Sequence, residues 1–273
     1  MPGHGCTPND PARCAHERPA QPLIRRMGGA VPKGATSLAQ FRTDPRLNQG
    51  GDESCTAHAV ALGVWGSCAA AGKPLPAIPS QAFQWAGSKS LDVVRVPNAD
   101  GSLPKFGNVG VQSVSAMLAL GTIGFVPMGA LVPGRFSDCG DPTWELPSDL
   151  AQHGAQSLVT GEYSLDPTAD DFEVSIALAI DAGLMVYIGA SVGTAYQAWR
   201  GGDALYLPEV NATGHAIILD SYITTATGER QYESPGSYGN GAAVDGVWQM
   251  RASWVKANTF DCYPLAVAGV HYS

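Results

Sequence analysis

The stretch with the most chemical content is Asn48-Gln49-Gly50-Gly51-Asp52-Glu53-Ser54-Cys55-Thr56-Ala57-His58. A glycine turn leads into an apolar run, which predicts a helix beginning at Cys55. The first turn of a helix presents unpaired N–H groups and a partial positive charge. A thiol placed there ionises more readily, and the thiolate is the reactive form. Asp52 and Glu53 work against this, because neighbouring acids disfavour a second negative charge. Gln49, just upstream, places an amide within reach of the same point. That amide and the Cys55 N–H could together form an oxyanion hole. A base is still needed. His215 has the best setting for one, since it follows Gly214 and opens the apolar strand Ala216-Ile217-Ile218-Leu219. Its neutral-range pKa suits it to take a thiol proton. A cysteine and a histidine so far apart in sequence would meet across a cleft between two halves of a fold.

Plainer readings stand beside these. Cys55 could be a buried structural cysteine, the commonest fate of a free thiol. His215 alone reads as a core histidine, and Gln49 as an ordinary loop residue. His58 shares a helix face with Cys55 and reads as a core residue or one that tunes the site. Cys68 falls on the apolar helix face, while Cys139 and Cys262 lie in loop-like stretches.

The chain that must position these groups has 273 residues, 45% of them hydrophobic and 15% charged, enough for a large core. Its net charge of −8 argues against nucleic acid or an anionic membrane as partner. No apolar run is long enough to span a bilayer. The N-terminus lacks an apolar signal core, so a cytoplasmic or virion-associated protein is expected. Residues 1–35 form a Pro/Gly-rich extension that the domain, or a partner chain, would have to hold. His4, Cys6, Cys14 and His16 cluster within it as metal-type ligands, but their spacing matches no standard zinc pattern. A Cys6–Cys14 disulfide or two free thiols are the alternatives.

A nearly apolar helix is expected from Cys55 to about Ala71, stopped by Gly72 and Pro74. Another should start at Ser80 and a third should cover 111–120. A helix over about 169–182 opens with Asp170-Asp171 and closes at Gly183. Strand-type runs follow at 184–190, 215–222, 231–233, 247–251 and 263–272. Helices first and strands second is an α+β order.

These residues together resemble the papain family of cysteine peptidases. The family pattern N-Q-G-x-C-G-S-C-W-A matches Asn48-Gln49-Gly50, Ser54-Cys55 and Ala57, with Asp52 where the family has a disulfide cysteine and Thr56 where it has tryptophan. Its histidine strand, G/D-H-A-V-x-x-V-G-Y, corresponds to Gly214-His215-Ala216-Ile217-Ile218-Leu219-Asp220-Ser221-Tyr222. Gly107-Asn108-Val109-Gly110-Val111 looks like the N-G-G wall of the substrate groove. The family's third catalytic residue, the Asn of N-S-W-G-x-x-W-G-x-x-G, aligns with Gly236 of Gly236-Ser237-Tyr238-Gly239. A second alignment, Arg251-Ala252-Ser253-Trp254, places Ala252 there. Asn240 and Glu233 are candidates to take over that role.

The resemblance covers roughly residues 36–273. It implies a two-domain fold, with a mainly helical part over 36–150, a mainly β, barrel-like part over 151–273 and an active site in the cleft between them. It implies a peptidase with Cys55 as nucleophile, His215 as base and acid, Gln49 in the oxyanion hole and Gly110 bordering the groove. No cofactor or metal is expected for that chemistry. The substrate would be a protein or the peptide part of a cell wall. The alternative is a weak or inactive papain-like module serving as a structural or binding component of a larger assembly such as a phage virion.

Overall fold

The computed structural model describes residues 6–7, 18–20, 24, 31–44, 46–93, 95–128, 141–157 and 163–266. Its first strands are short: β1, Cys6–Thr7; β2, Arg18–Pro19; and β3, Ala35–Ser37. Helix α1, Cys55–Ala70, is followed by α2, Gln81–Asp92. Strand β4, Val111–Gln112, runs directly into α3, Ser113–Thr122. Then come α4, Ser148–Gly154; β5, Tyr163–Ser164; and α5, Phe172–Asp181. The remainder alternates: β6, Val186–Val192; α6, Thr194–Ala198; β7, Thr213–Leu219; β8, Ser221–Thr224; β9, Arg230–Pro235; β10, Val247–Arg251; α7, Ala252–Asn258; and β11, Thr259–Pro264. The order is α+β, helices leading and strands following.

Helix α1 is buried along almost its whole length. An apolar stripe on every side is what a central helix requires. It ends as its glycine implies: Gly72 has φ 72° and its N–H reaches Ala69 O at 3.0 Å, while Lys73 N–H reaches Cys68 O at 2.9 Å. This pair of bonds satisfies carbonyls that a helix end leaves open. Two further glycines let α1 approach the sheet. A Cβ at Gly63 would sit 2.2 Å from Leu265 Cδ1, and one at Gly66 only 2.0 Å from Met185 Cε. Helix α2 starts at Ser80, whose hydroxyl accepts from Phe83 N–H at 3.2 Å.

Two antiparallel sheets form the second half. One has the order β11-β6-β7 and the other β10-β9-β8-β3. β6 and β7 pair from Val186↔Leu219 to Val192↔Thr213, which places Ala190 opposite His215. The chain leaves the first sheet for the second at Asp220. That residue is fully buried and held by Arg42, whose Nε and Nη2 donate to its two oxygens at 2.5 and 2.6 Å. Arg42 Nη2 also donates to Glu233 at 2.7 Å. A buried carboxylate is tolerable only when paired in this way.

The extension pairs within the chain, β1 beside β4 and β2 beside β5, both parallel. Among the described residues no helix is long and apolar enough to cross a membrane. Several expected boundaries move. Val111 and Gln112 are strand rather than helix, because β1 pairs with them. The 215–222 run breaks at Asp220. Residues 252–258, read as part of no helix, form α7. Cys262 lies buried within β11 rather than in a loop, and residues 267–273 of the last expected run lie outside the described residues.

Candidate active site

Cys55 is the first residue of α1. The loop before it is held from the far end of the chain. Gln49 N–H donates to Ser237 O at 2.7 Å, and Gly239 N–H to Leu47 O at 2.9 Å. The turn needs Gly50, at φ 59°, and Asn48 Oδ1 accepts from its N–H at 3.0 Å. The buried Gln49 amide is fixed at both ends: its Nε2 donates to Asp52 O at 2.7 Å, and its Oε1 accepts from the Ser237 hydroxyl. A primary amide has two N–H groups, so the second is not used by Asp52. His58 is buried, its Nδ1 within 3.0 Å of Ser54 O.

The Cys55 thiol lies against β7, where the Ala216 and Thr56 amides donate to it. Ala216 follows His215, so helix start and histidine strand meet at this point. The thiol is 0% exposed. Burial pushes it well above the ordinary thiol range; the neighbouring Cys6 and then Glu53 add to the rise, against the two amides. The sequence pattern predicts easier ionisation at a helix start. The opposite holds here because desolvation outweighs the helix terminus.

The cover is β1. Cys6 pairs with Val111, and its carbonyl oxygen stands 1.8 Å from where a Cβ at Gly214 would be. Only glycine fits before the histidine. Cys6 Sγ lies 3.5 Å from Ser113 Oγ and 3.7 Å from Tyr187 OH. Burial pushes this thiol up to about 12. Cys6 is thus a free, buried thiol. His4, Cys14 and His16 of the proposed cluster lie outside the described residues. Among the described residues no group of His, Cys, Asp and Glu side chains is placed to hold a metal ion.

His215, fully buried, is enclosed by aromatic rings. Tyr238 stacks on it, with centroids 5.1 Å apart and planes 12° off parallel. Tyr196 meets it edge-on, at 5.9 Å and 63°. Tyr196 in turn stacks on Trp248, at 4.9 Å and 2°. Gly236 lies one residue before Ser237, and a Cβ there would be 2.2 Å from Trp248 Cζ3. The indole occupies that space. Neither sequence-based substitute faces the histidine. Asn240 is exposed and accepts from Arg46 N–H at 2.8 Å. Glu233 is taken up by Arg42 and by Gln249 Nε2, at 3.3 Å. The second alignment fails too, since Ser253 is an exposed residue of α7 bonded to Glu229 at 2.9 Å.

The half-buried Gly110 precedes β4, at the end of a loop tied to the Cys55 loop. Asn108 Oδ1 accepts from Glu53 N–H at 2.8 Å, and its Nδ2 donates to Gly51 O at 3.2 Å. Trp85 Nε1 donates to Val109 O at 3.1 Å. The structure therefore brings Gln49, Cys55, His215, Gly110 and Gly236 to one region. Sequence reasoning passed over Tyr196 and Trp248, and read Cys6 as a metal ligand, a disulfide partner or a free thiol rather than as a neighbour of Cys55. Aromatic residues in a strand-rich half carry no local sign of which partner they will meet.

No family model and no curated protein sequence matches the chain. Solved structures do. Xylellain, a cysteine protease from Xylella fastidiosa, aligns with a TM-score of 0.71 and 18% identity over 98% of this chain and 97% of its own. Digestive procathepsin L 3 of Tenebrio molitor larval midgut aligns at 0.62 and 15% identity, covering 90% of this chain and 78% of its own. Bromelain from Ananas comosus, solved with the E64 inhibitor, gives 0.59 and 14% over 86% and 99%. At these identities the likeness concerns the fold: the chain has a papain-like fold.

Proposed function

We propose that this chain is a papain-like cysteine peptidase. Cys55 Sγ attacks a peptide carbonyl carbon while His215 takes its proton. His215 then gives that proton to the leaving amine as the C–N bond breaks, and water hydrolyses the thioester left on Cys55. The Cys55 N–H and the Gln49 amide N–H not used by Asp52 stabilise the oxyanion. Gly110 borders the groove in which the substrate backbone lies. The observation that carries this reading is the Ser237–Gln49–Cys55 arrangement against β7. A purely structural cysteine needs neither a buried glutamine amide locked in the loop before it nor a histidine strand against its thiol.

The test is covalent labelling by a peptidyl epoxide, read by intact mass on wild type, Cys55→Ala and His215→Ala. A single adduct on Cys55 that disappears in His215→Ala, and forms below the ordinary thiol pKa, supports the reading. Labelling indifferent to His215 removes it. In that case the second reading applies, a binding or structural module of a larger assembly. The covered thiol and the side-chain-free Gly236 favour that alternative.

A further inference from the structure

Tyr196 is a buried phenol whose position no sequence pattern explains. Its main chain is fixed twice. Its N–H donates to Glu209 Oε1 at 2.8 Å, and its carbonyl accepts from Trp248 Nε1 at 2.9 Å. Its ring stacks on the Trp248 indole, at 4.9 Å, and on the Trp254 indole, at 5.9 Å, and meets the His215 ring at 63° with centroids 5.9 Å apart. The side chain is 0% exposed, and its hydroxyl has no hydrogen-bond partner among the described residues. A phenol so placed is costly as it stands, since buried hydroxyls are normally satisfied. Phenylalanine would fill the same slot without that cost.

The surroundings say what the hydroxyl is for. The phenol ring is in contact with the His215 ring, on which Tyr238 also stacks, and this contact locates it at the site. Burial raises its pKa well above the ordinary value, so it stays a neutral O–H whose oxygen can accept. Gly236, the position where the resemblance expects an orienting Asn, has no side chain, and Trp248 excludes one. Trp248 is also the ring that holds Tyr196 in place. One indole therefore closes the old position and braces a new one.

We propose that Tyr196 is the positioning residue for His215, its phenol oxygen accepting an N–H of the imidazolium that forms when Cys55 gives up its proton. This rests on Cys55 and His215 being the catalytic pair. In the resting arrangement the hydroxyl is unengaged. Catalytic hydrogen bonds are commonly long or misaligned before substrate binds and tighten in the complex.

The experiment uses the full chain and Tyr196→Phe, which keeps both ring stacks and removes only the oxygen. The readouts are Tm, steady-state kinetics on a fluorogenic peptide, and the pH profile of Cys55 alkylation by a peptidyl epoxide. An acceptor for the imidazolium extends the pH range of the ion pair at both ends. Tyr196→Phe is therefore expected to melt no lower than wild type, since an unsatisfied hydroxyl is lost, to retain the wild-type KM, to lose about tenfold in kcat, and to narrow the alkylation bell from both sides. A Tyr196→Phe profile superimposable on wild type, with His215-dependent labelling intact, overturns the positioning role and leaves the peptidase reading standing. Absence of His215-dependent labelling in the wild type overturns both.

Discussion

Restoring asparagine at position 236 should damage the protein rather than improve it. A Cβ at Gly236 would lie 2.2, 2.9 and 3.0 Å from Cζ3, Cε3 and Cη2 of Trp248. The indole has little freedom to yield. It is 2% exposed, stacked flat on Tyr196 and tied by Nε1 to the Tyr196 carbonyl at 2.9 Å. The backbone is not the obstacle, because Gly236 is absent from the residues at positive φ. Overpacking of this kind costs about 1–3 kcal/mol. For a chain of this size each kcal/mol moves Tm by roughly 2–4 °C, so Gly236→Asn should lower it by about 2–12 °C. Gly236→Ala should account for most of that loss, since the clash begins at Cβ. Combining Gly236→Asn with Trp248→Leu should cost less than the two single losses added together, as expected for residues in contact. The assay is thermal unfolding followed by circular dichroism, with peptide hydrolysis measured in parallel. A Gly236→Asn protein that melts with the wild type and hydrolyses faster would show that the indole yields readily, and the steric argument would be wrong.

Arg42→Ala leaves Asp220 buried without its cation and should cost about 3–5 kcal/mol at neutral pH in denaturant unfolding. The sign with pH follows from Asp220, whose pKa burial already raises. A raised acid destabilises the fold above its folded pKa, and this deficit shrinks as pH falls towards the unfolded carboxylate value. The gap between variant and wild type should therefore narrow in acid; a gap independent of pH would contradict the assignment. The covered Cys55 thiol, held above its ordinary range, should react with iodoacetamide at neutral pH far more slowly than the same thiol in the unfolded chain. A peptidyl epoxide, whose backbone can compete with β1 for pairing with β4, should be less hindered; equal protection against both reagents would exclude such competition. Asn108→Ala removes two hydrogen bonds between the loop before β4 and the Cys55 loop, and should cost about 1 kcal/mol, raising KM more than it lowers kcat if the proposed peptidase reading holds. A fall confined to kcat would point to a different role for this loop.

What could be read locally was read well. Helix α1 announces both its ends, with the glycine turn before Cys55 and Gly72 after Ala71, because helix boundaries are decided by neighbouring residues. β10, Val247–Arg251, has the bounds its run of residues suggests. The failures share one physical cause, that the deciding partner is remote. Val111-Gln112 becomes a strand only because Cys6-Thr7 lies beside it. The break at Asp220 needs Arg42 to make a buried charge tolerable. The Cys55 thiol is read in sequence from its helix start and its two acidic neighbours, whereas burial among remote segments, Cys6 included, decides its ionisation. Gly236 could be aligned but not understood, since the ring filling its space comes from β10.

The bond from the Ser237 hydroxyl to Gln49 spans 188 positions of the chain. This separation sets an order of events during synthesis. The helix bearing Cys55 leaves the ribosome early, but the residues that lock its loop and face its thiol are among the last quarter to be made. A nascent chain therefore carries the cysteine for most of its synthesis with no site built around it. Closing so long a loop adds only slowly to the entropic cost of folding, but contacts of this range form late and slow the search for the native state. The arrangement around Cys55 is thus a property of the finished chain, and loss of the segment around Ser237 would disassemble it even with Cys55 and α1 intact.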